Sequence, residues 1–148
     1  MAAELYFAEP RSAYAARPPL VVDASLIAAI LFAEPAFDLA HARLRGFTPI
    51  APALLDFEIA NAVTTRLRRR AIGADDAAAA MQDFLDLPIE RAEIDAGALP
   101  LLADRFGLTA YDAAYLWLAG EVRAPLATFD SRLARAAVKY LDGLSPPG

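Results

Sequence analysis

Four carboxylates stand at points in this 148-residue chain where a side chain could do chemistry. Asp23 ends the apolar run Leu20-Val21-Val22 and is followed by the equally apolar stretch 26–32. A continuous apolar run of this kind reads as a buried parallel strand, and a helix directly after it suggests a βαβ unit. Ligands of such folds bind beyond the carboxyl ends of the strands, where Asp23 falls. Asp130 repeats the pattern after the short strand expected at 125–128. Either aspartate could instead serve as a helix N-cap.

Glu58 lies within a helical stretch, and its neighbours at helical spacing are Leu54, Asn61, Ala62 and Thr65. That mixed face suits an inward-facing acid, although an ordinary exposed glutamate is the competing reading. Asp112 follows Thr109 at capping-box spacing and opens a segment that is apolar nearly all round. The cap is one explanation. The other is an acid on the first turn of a buried central helix, pointing into the cleft that the helix opens onto. Tyr115 and Trp117 in this segment read as core packing, and Tyr111 fits either core or site.

Each acid has a plain structural explanation, but the four together suggest a shared cleft. Carboxylates gathered in one cleft raise each other's pKa and need cations to neutralise them. Ligands that are all oxygen select hard ions such as Mg²⁺ or Mn²⁺. Two such ions about 3.5–4 Å apart can activate water and stabilise a leaving oxygen in phosphodiester cleavage.

The elements that must hold these acids alternate. Strands are expected near 20–23, 47–51, 89–94 and 125–128. Helices are expected at 25–33, 36–45, from Pro52 through Arg70, and at 75–87, 95–106, 109–119 and 130–140. Pro49 suggests an edge position or a strand start for the second strand. Strands alternating with helices define a doubly wound α/β domain. Residues 1–19, with Pro10, Pro18 and Pro19, read as a loosely ordered arm before a single domain at 20–148.

Composition narrows the chemistry. Hydrophobic residues make up 57% of the chain, with alanine prominent among them, which favours helix. The absence of cysteine rules out disulfides, thiolate metal sites and a cysteine nucleophile. His41 is the single histidine, which excludes multi-histidine zinc sites and paired-histidine acid–base catalysis within one chain. The net charge of −5 means that any nucleic acid must be attracted locally or through bound cations. The first residues lack a basic signal region, and no apolar run approaches the ~20 residues of a membrane span. The expectation is a cytoplasmic protein with no membrane partner.

Val22-Asp23-Ala24-Ser25, Glu58 with Asn61, Thr109-Ala110-Tyr111-Asp112-Ala113 and Thr128-Phe129-Asp130 together resemble the PIN-domain family. Within that family the resemblance is to the VapC-type toxins of toxin–antitoxin operons, and it spans about residues 20–140. It implies a three-layer α/β/α sandwich around a parallel sheet of four or five strands. It also implies a metal-dependent endoribonuclease acting on structured RNA, commonly transfer or ribosomal RNA, with one or two Mg²⁺ or Mn²⁺ ions. A cognate VapB-type antitoxin and a homodimer come with the same resemblance. Asp23, Glu58, Asp112 and Asp130 match the family's catalytic, metal-holding acids, and Ser25, Asn61, Thr109 and Thr128 match its supporting polar positions. A fifth strand is hard to find after Lys139, and the N-terminal arm is longer than usual. A PIN nuclease of RNA maturation and a non-catalytic PIN-like binding module are the alternatives.

Arg66, Arg68, Arg69 and Arg70 cluster at the end of the Glu58 helix. They either complement the helix C-terminal dipole or grip RNA phosphate. Other folds with a strand-borne aspartate fit less well. A haloacid-dehalogenase-type phosphatase would want a second aspartate where Ser25 stands. A receiver domain would want an acidic pair near the first strand and a lysine near its last, but the single lysine is Lys139, inside the last helix. No glycine-rich nucleotide-binding pattern can be built from the seven glycines.

Overall fold

The computed structural model describes residues 17–144. In chain order the elements are β1 (Pro19–Val22), α1 (Ala24–Leu31), α2 (Phe37–Leu44), β2 (Thr48–Pro52), α3 (Leu54–Arg68) and α4 (Ala74–Asp86). They continue with β3 (Glu90–Ala92), a 3-10 turn (Ala96–Ala98), α5 (Leu99–Phe106), α6 (Ala110–Glu121), β4 (Leu126–Ala127) and α7 (Ser131–Asp142). The four strands form one parallel sheet in the order β3-β2-β1-β4, flanked by helices. The α/β class therefore stands, with four strands among the described residues. Of the expected arm, residues 1–16 lie outside the described residues, and Pro19 already belongs to β1.

β1 sits in the middle of the sheet because its apolar residues are buried on both faces: Leu20, Val21 and Val22 are all buried. The chain leaves β1 toward β2 on one side and returns as β4 on the other, so strand order reverses at β1. This is the switch point at which a cleft opens beyond the strand ends. α6 packs along β1, β2 and β4 and is buried through Ala113, Ala114, Tyr115, Leu116, Leu118 and Ala119. The all-round apolar pattern of 109–119 thus corresponds to a central helix.

Several expected boundaries shift. Pro52 closes β2 rather than opening α3, and β2 lies inside the sheet, not at its edge. Its two prolines fall at the second and last positions of the strand. The helix expected at 95–106 begins as a 3-10 turn, and α5 then accommodates Pro100 in its first turn, where a proline has no intrahelical bond to lose. Gly107 ends α5 with φ +64°, the left-handed region that glycine reaches without strain.

Candidate metal centre and active site

The register of the sheet brings the first two acids to one edge. Val22 pairs with Ala127, so the residues that follow, Asp23 and Thr128, leave the sheet side by side. Thr128 Oγ1 donates to Asp23 Oδ2, and Ser25 Oγ donates to Asp23 Oδ1 at 2.7 Å. The backbone N–H of Leu26 adds a third donor to Oδ1 at 3.1 Å. Ser25 Oγ in turn accepts from Phe129 N at 2.9 Å, and Thr128 Oγ1 accepts from Asp130 N at 2.9 Å. These bonds tie the start of α1 to the loop between β4 and α7. They also fix the direction in which Asp23 presents its carboxylate.

The capping and site readings hold together. Asp23 caps α1. Asp130 caps α7, its Oδ1 accepting from Arg132 N at 2.8 Å and Leu133 N at 3.0 Å. Thr109 caps α6 by accepting from Asp112 N at 3.1 Å. Capping spends one oxygen of Asp130 and leaves Oδ2 without a hydrogen bond from any described residue.

Glu58 reaches the cleft from the second turn of α3. It is half-buried, and its Oε1 accepts from the hydroxyl of Tyr115 at 2.8 Å. Tyr115 is 1% exposed, and desolvation together with the nearby Glu58 charge pushes its hydroxyl well above the ordinary tyrosine value, so it remains a donor. The sequence reading of Tyr115 as core is right for its ring and misses its hydroxyl. The available signal was spacing: Tyr115 lies three residues after Asp112, on the same face of the helix.

The charges of the four acids act on one another in a linked set: Asp23 with Asp130, Glu58 and Asp112, and Asp112 with Glu58 and Asp130. Burial raises the pKa of Asp23, opposed by the donors from Thr128, Ser25 and Leu26 and reinforced by the charge of Asp130. Glu58 is raised by burial, and further by Asp112 and Asp23, against the lowering effect of Tyr115. Asp112 is raised by burial and by the charges of Asp130 and Asp23, with Thr109 and Arg132 acting in the opposite direction. The donor set suits a hard cation: it is all oxygen and repels itself, and among the described residues Arg132 offsets only Asp112. Among the described residues, no three histidine, cysteine, aspartate or glutamate side chains are already gathered tightly enough to hold an ion. The side chains would have to draw inward on binding.

The remaining expected positions divide. Ser25 and Thr128 hold Asp23, and Thr109 holds the start of α6. Asn61 is exposed one turn beyond Glu58, and among the described residues no hydrogen bond joins its side chain to an acid. The arginine cluster is not part of the cleft. Arg66 pairs with Glu34 at 2.8 Å and lies over the Phe32 ring, just past the end of α1 opposite to Asp23. Arg68, Arg69 and Arg70 are exposed at that same end of α3, roughly 15 Å along the helix from Glu58 at 1.5 Å per residue. Helix length separates them from the acids, and the spacing along the sequence did not weigh it.

A parallel sheet in this strand order, flanked by helices, is a fold that known proteins share. The family model described as the PIN domain matches residues 20–139, and the chain belongs to the PIN-domain family. Ribonuclease VapC12 of Mycobacterium tuberculosis is 32% identical over 117 residues, covering 79% of this chain and 91% of that protein. Among solved structures, PAE2754 from Pyrobaculum aerophilum superposes with a TM-score of 0.63 at 22% identity, over 87% of this chain and 96% of that one. VapC20 of Mycobacterium tuberculosis, a Sarcin-Ricin loop cleaving toxin, gives a TM-score of 0.58 at 18% identity, over 79% and 94% of the two chains. At these identities the two structures share the fold alone.

Proposed function

We propose that this chain is a Mg²⁺- or Mn²⁺-dependent endoribonuclease that hydrolyses phosphodiester bonds of structured RNA, transfer or ribosomal, as the toxin of a type II toxin–antitoxin pair. The observation that carries the reading is that Asp23, Glu58, Asp112 and Asp130, drawn from four different elements, are linked by mutual charge effects, with Asp23 just past the end of the strand where the order reverses. Membership of the PIN-domain family and the likeness to a protein named a ribonuclease support it.

Asp23, Glu58, Asp112 and Asp130 would hold the metal, which when bound supplies water activation and charge neutralisation at the scissile phosphate. The protein's own contribution is positioning. Ser25 and Thr128 fix both oxygens of Asp23, Tyr115 fixes one oxygen of Glu58, and the caps of α6 and α7 set where Asp112 and Asp130 begin. Such partners orient ligating carboxylates and tune their basicity. Inhibition by a VapB-type antitoxin and a homodimer belong to the same proposal. Phe57, Leu101 and Tyr111 are large apolar side chains left exposed.

The test is RNA cleavage by the purified chain in Mg²⁺. Activity should disappear in EDTA and in Asp23→Asn and Asp112→Asn, with circular dichroism unchanged. Cleavage that persists in EDTA or in either variant overturns the proposal.

A further inference from the structure

One cluster of charge lies outside the acidic cleft and begins beside it. Arg105 on the last turn of α5 and Arg132, Arg135 and Lys139 on α7 line a cavity of about 480 Å³, together with Phe106, Gly107 and Ala136 and with no carboxylate in its wall. On α7 the three cations follow helical spacing along one face, while Leu133, Ala136 and Ala137 occupy the buried face. All four cations are exposed, and among the described residues none forms an ion pair. Phe106 meets Tyr140 edge-on at 5.9 Å, which fixes the end of α5 against α7 and holds the two banks of the groove together.

Helix stability does not account for this arrangement. Lys139 and Arg105 lie in last turns, where a cation complements the helix dipole. Arg132 lies in the first turn of α7, where a cation opposes it. A chain with net charge −5 thus gathers four cations in one groove, none of them in an ion pair among the described residues. The groove starts two residues after Asp130, and Arg132 is close enough to act on Asp112.

We infer that the groove between the end of α5 and the Arg132–Lys139 face of α7 is the track along which the RNA backbone runs out of the acidic cleft, with Arg105, Arg135 and Lys139 neutralising phosphates next to the cleaved bond. The span from Arg132 to Lys139 is roughly 10 Å at 1.5 Å per residue. Arg105, Arg135 and Lys139 can each meet one phosphate, three contacts in all. The identity of the ligand rests on the nuclease reading above, and the groove explains how an acidic protein acquires a polyanion.

The test compares two variants of equal charge change: Arg105→Gln with Arg135→Gln and Lys139→Gln, and Arg68→Gln with Arg69→Gln and Arg70→Gln at the far end of α3. Affinity for a fluorescein-labelled single-stranded RNA is read by anisotropy across a salt series, with Ca²⁺ in place of Mg²⁺. The groove variant should bind at least about tenfold more weakly near 0.1 M salt. Its slope of log K against log salt should be shallower by about 2, from roughly 0.7 per phosphate contact. The control variant should change less in both respects. Because Lys139 is the only lysine, amine-reactive labelling monitored by mass spectrometry reads the groove directly, and RNA should slow labelling there. An unchanged slope, an equal effect in both variants, or an unprotected Lys139 overturns the inference. A wild type that binds and protects Lys139 but does not cut overturns the nuclease reading alone; one that cuts with Lys139 unprotected overturns the groove alone.

Discussion

Tyr115 makes its ring part of the core and its hydroxyl part of the cleft, and that division can be tested at a single atom. Its hydrogen bond lowers the pKa of Glu58 against the burial that raises it. In Tyr115→Phe that opposition is gone, so Glu58 takes up a proton at higher pH. Activity should fall about 10- to 100-fold, the range found when a group that orients a ligating side chain is removed. The acidic limb of the pH–rate profile should also move upward. A loss of activity with an unmoved acidic limb would assign Tyr115 to packing alone. At this scale the sequence was readable where residue type limits the options. An acid after a buried strand has few roles, and one of those foreseen for Asp23, the cap of α1, is the one it fills in the fold. It was not readable where one side chain has two ends in different environments, as in Tyr115. Nor was it readable where the third dimension separates chain neighbours, as with Arg66, whose partner Glu34 lies 32 residues earlier in the sequence.

Elements were legible in proportion to how fully they are buried. β1 and α6 carry unbroken apolar patterns because they touch neighbours on every side, and both stand where those patterns put them. For β2, Pro49 left an edge position and a strand start both open; the strand is interior, with Pro49 next to its start, and Pro52, expected to open the next helix, closes it. Packing between elements left little trace in the sequence, and Gly120 is the clearest case. A Cβ there would come within 2.6 Å of Tyr140 Cε1 and 2.9 Å of its hydroxyl oxygen, so α6 and α7 meet at a place that only glycine leaves open. Tyr140 is itself held by Phe106. Gly120→Ala should therefore cost about 1–3 kcal/mol of stability from overpacking, despite the better helix propensity of alanine. Urea denaturation measures this directly. A variant as stable as the wild type would mean that the Tyr140 ring moves aside freely, and that the α5–α7 contact does not hold the groove in shape.

For the whole molecule, the acidic cleft is a site of stored repulsion. Burial lifts the carboxyls of Asp23, Glu58 and Asp112 above their ordinary values of 3.8, 4.5 and 3.8, and neighbouring acids lift them further. The folded chain consequently holds protons that the unfolded chain has already released as pH rises from about 4 into the raised range. Stability falls across that window and stays lowered above it. Relieving one charge should reverse part of the loss. In metal-free buffer near pH 7, Asp112→Asn should melt above the wild type, by roughly 2–4 °C for each kcal/mol regained in a chain of this size. The gap should close as pH drops toward 3.8, where the wild-type acid is protonated anyway. Added Mg²⁺ should act in the same direction on the wild type, since an ion that binds only the folded state at 100 times its Kd adds about 2.7 kcal/mol. The variant, lacking one ligand, should gain less. Thermal scans at two pH values, with and without Mg²⁺, separate the outcomes. Identical melting of the two proteins near pH 7 would mean that the acids do not repel one another in the folded chain, and an equal response to Mg²⁺ would place the ion away from Asp112.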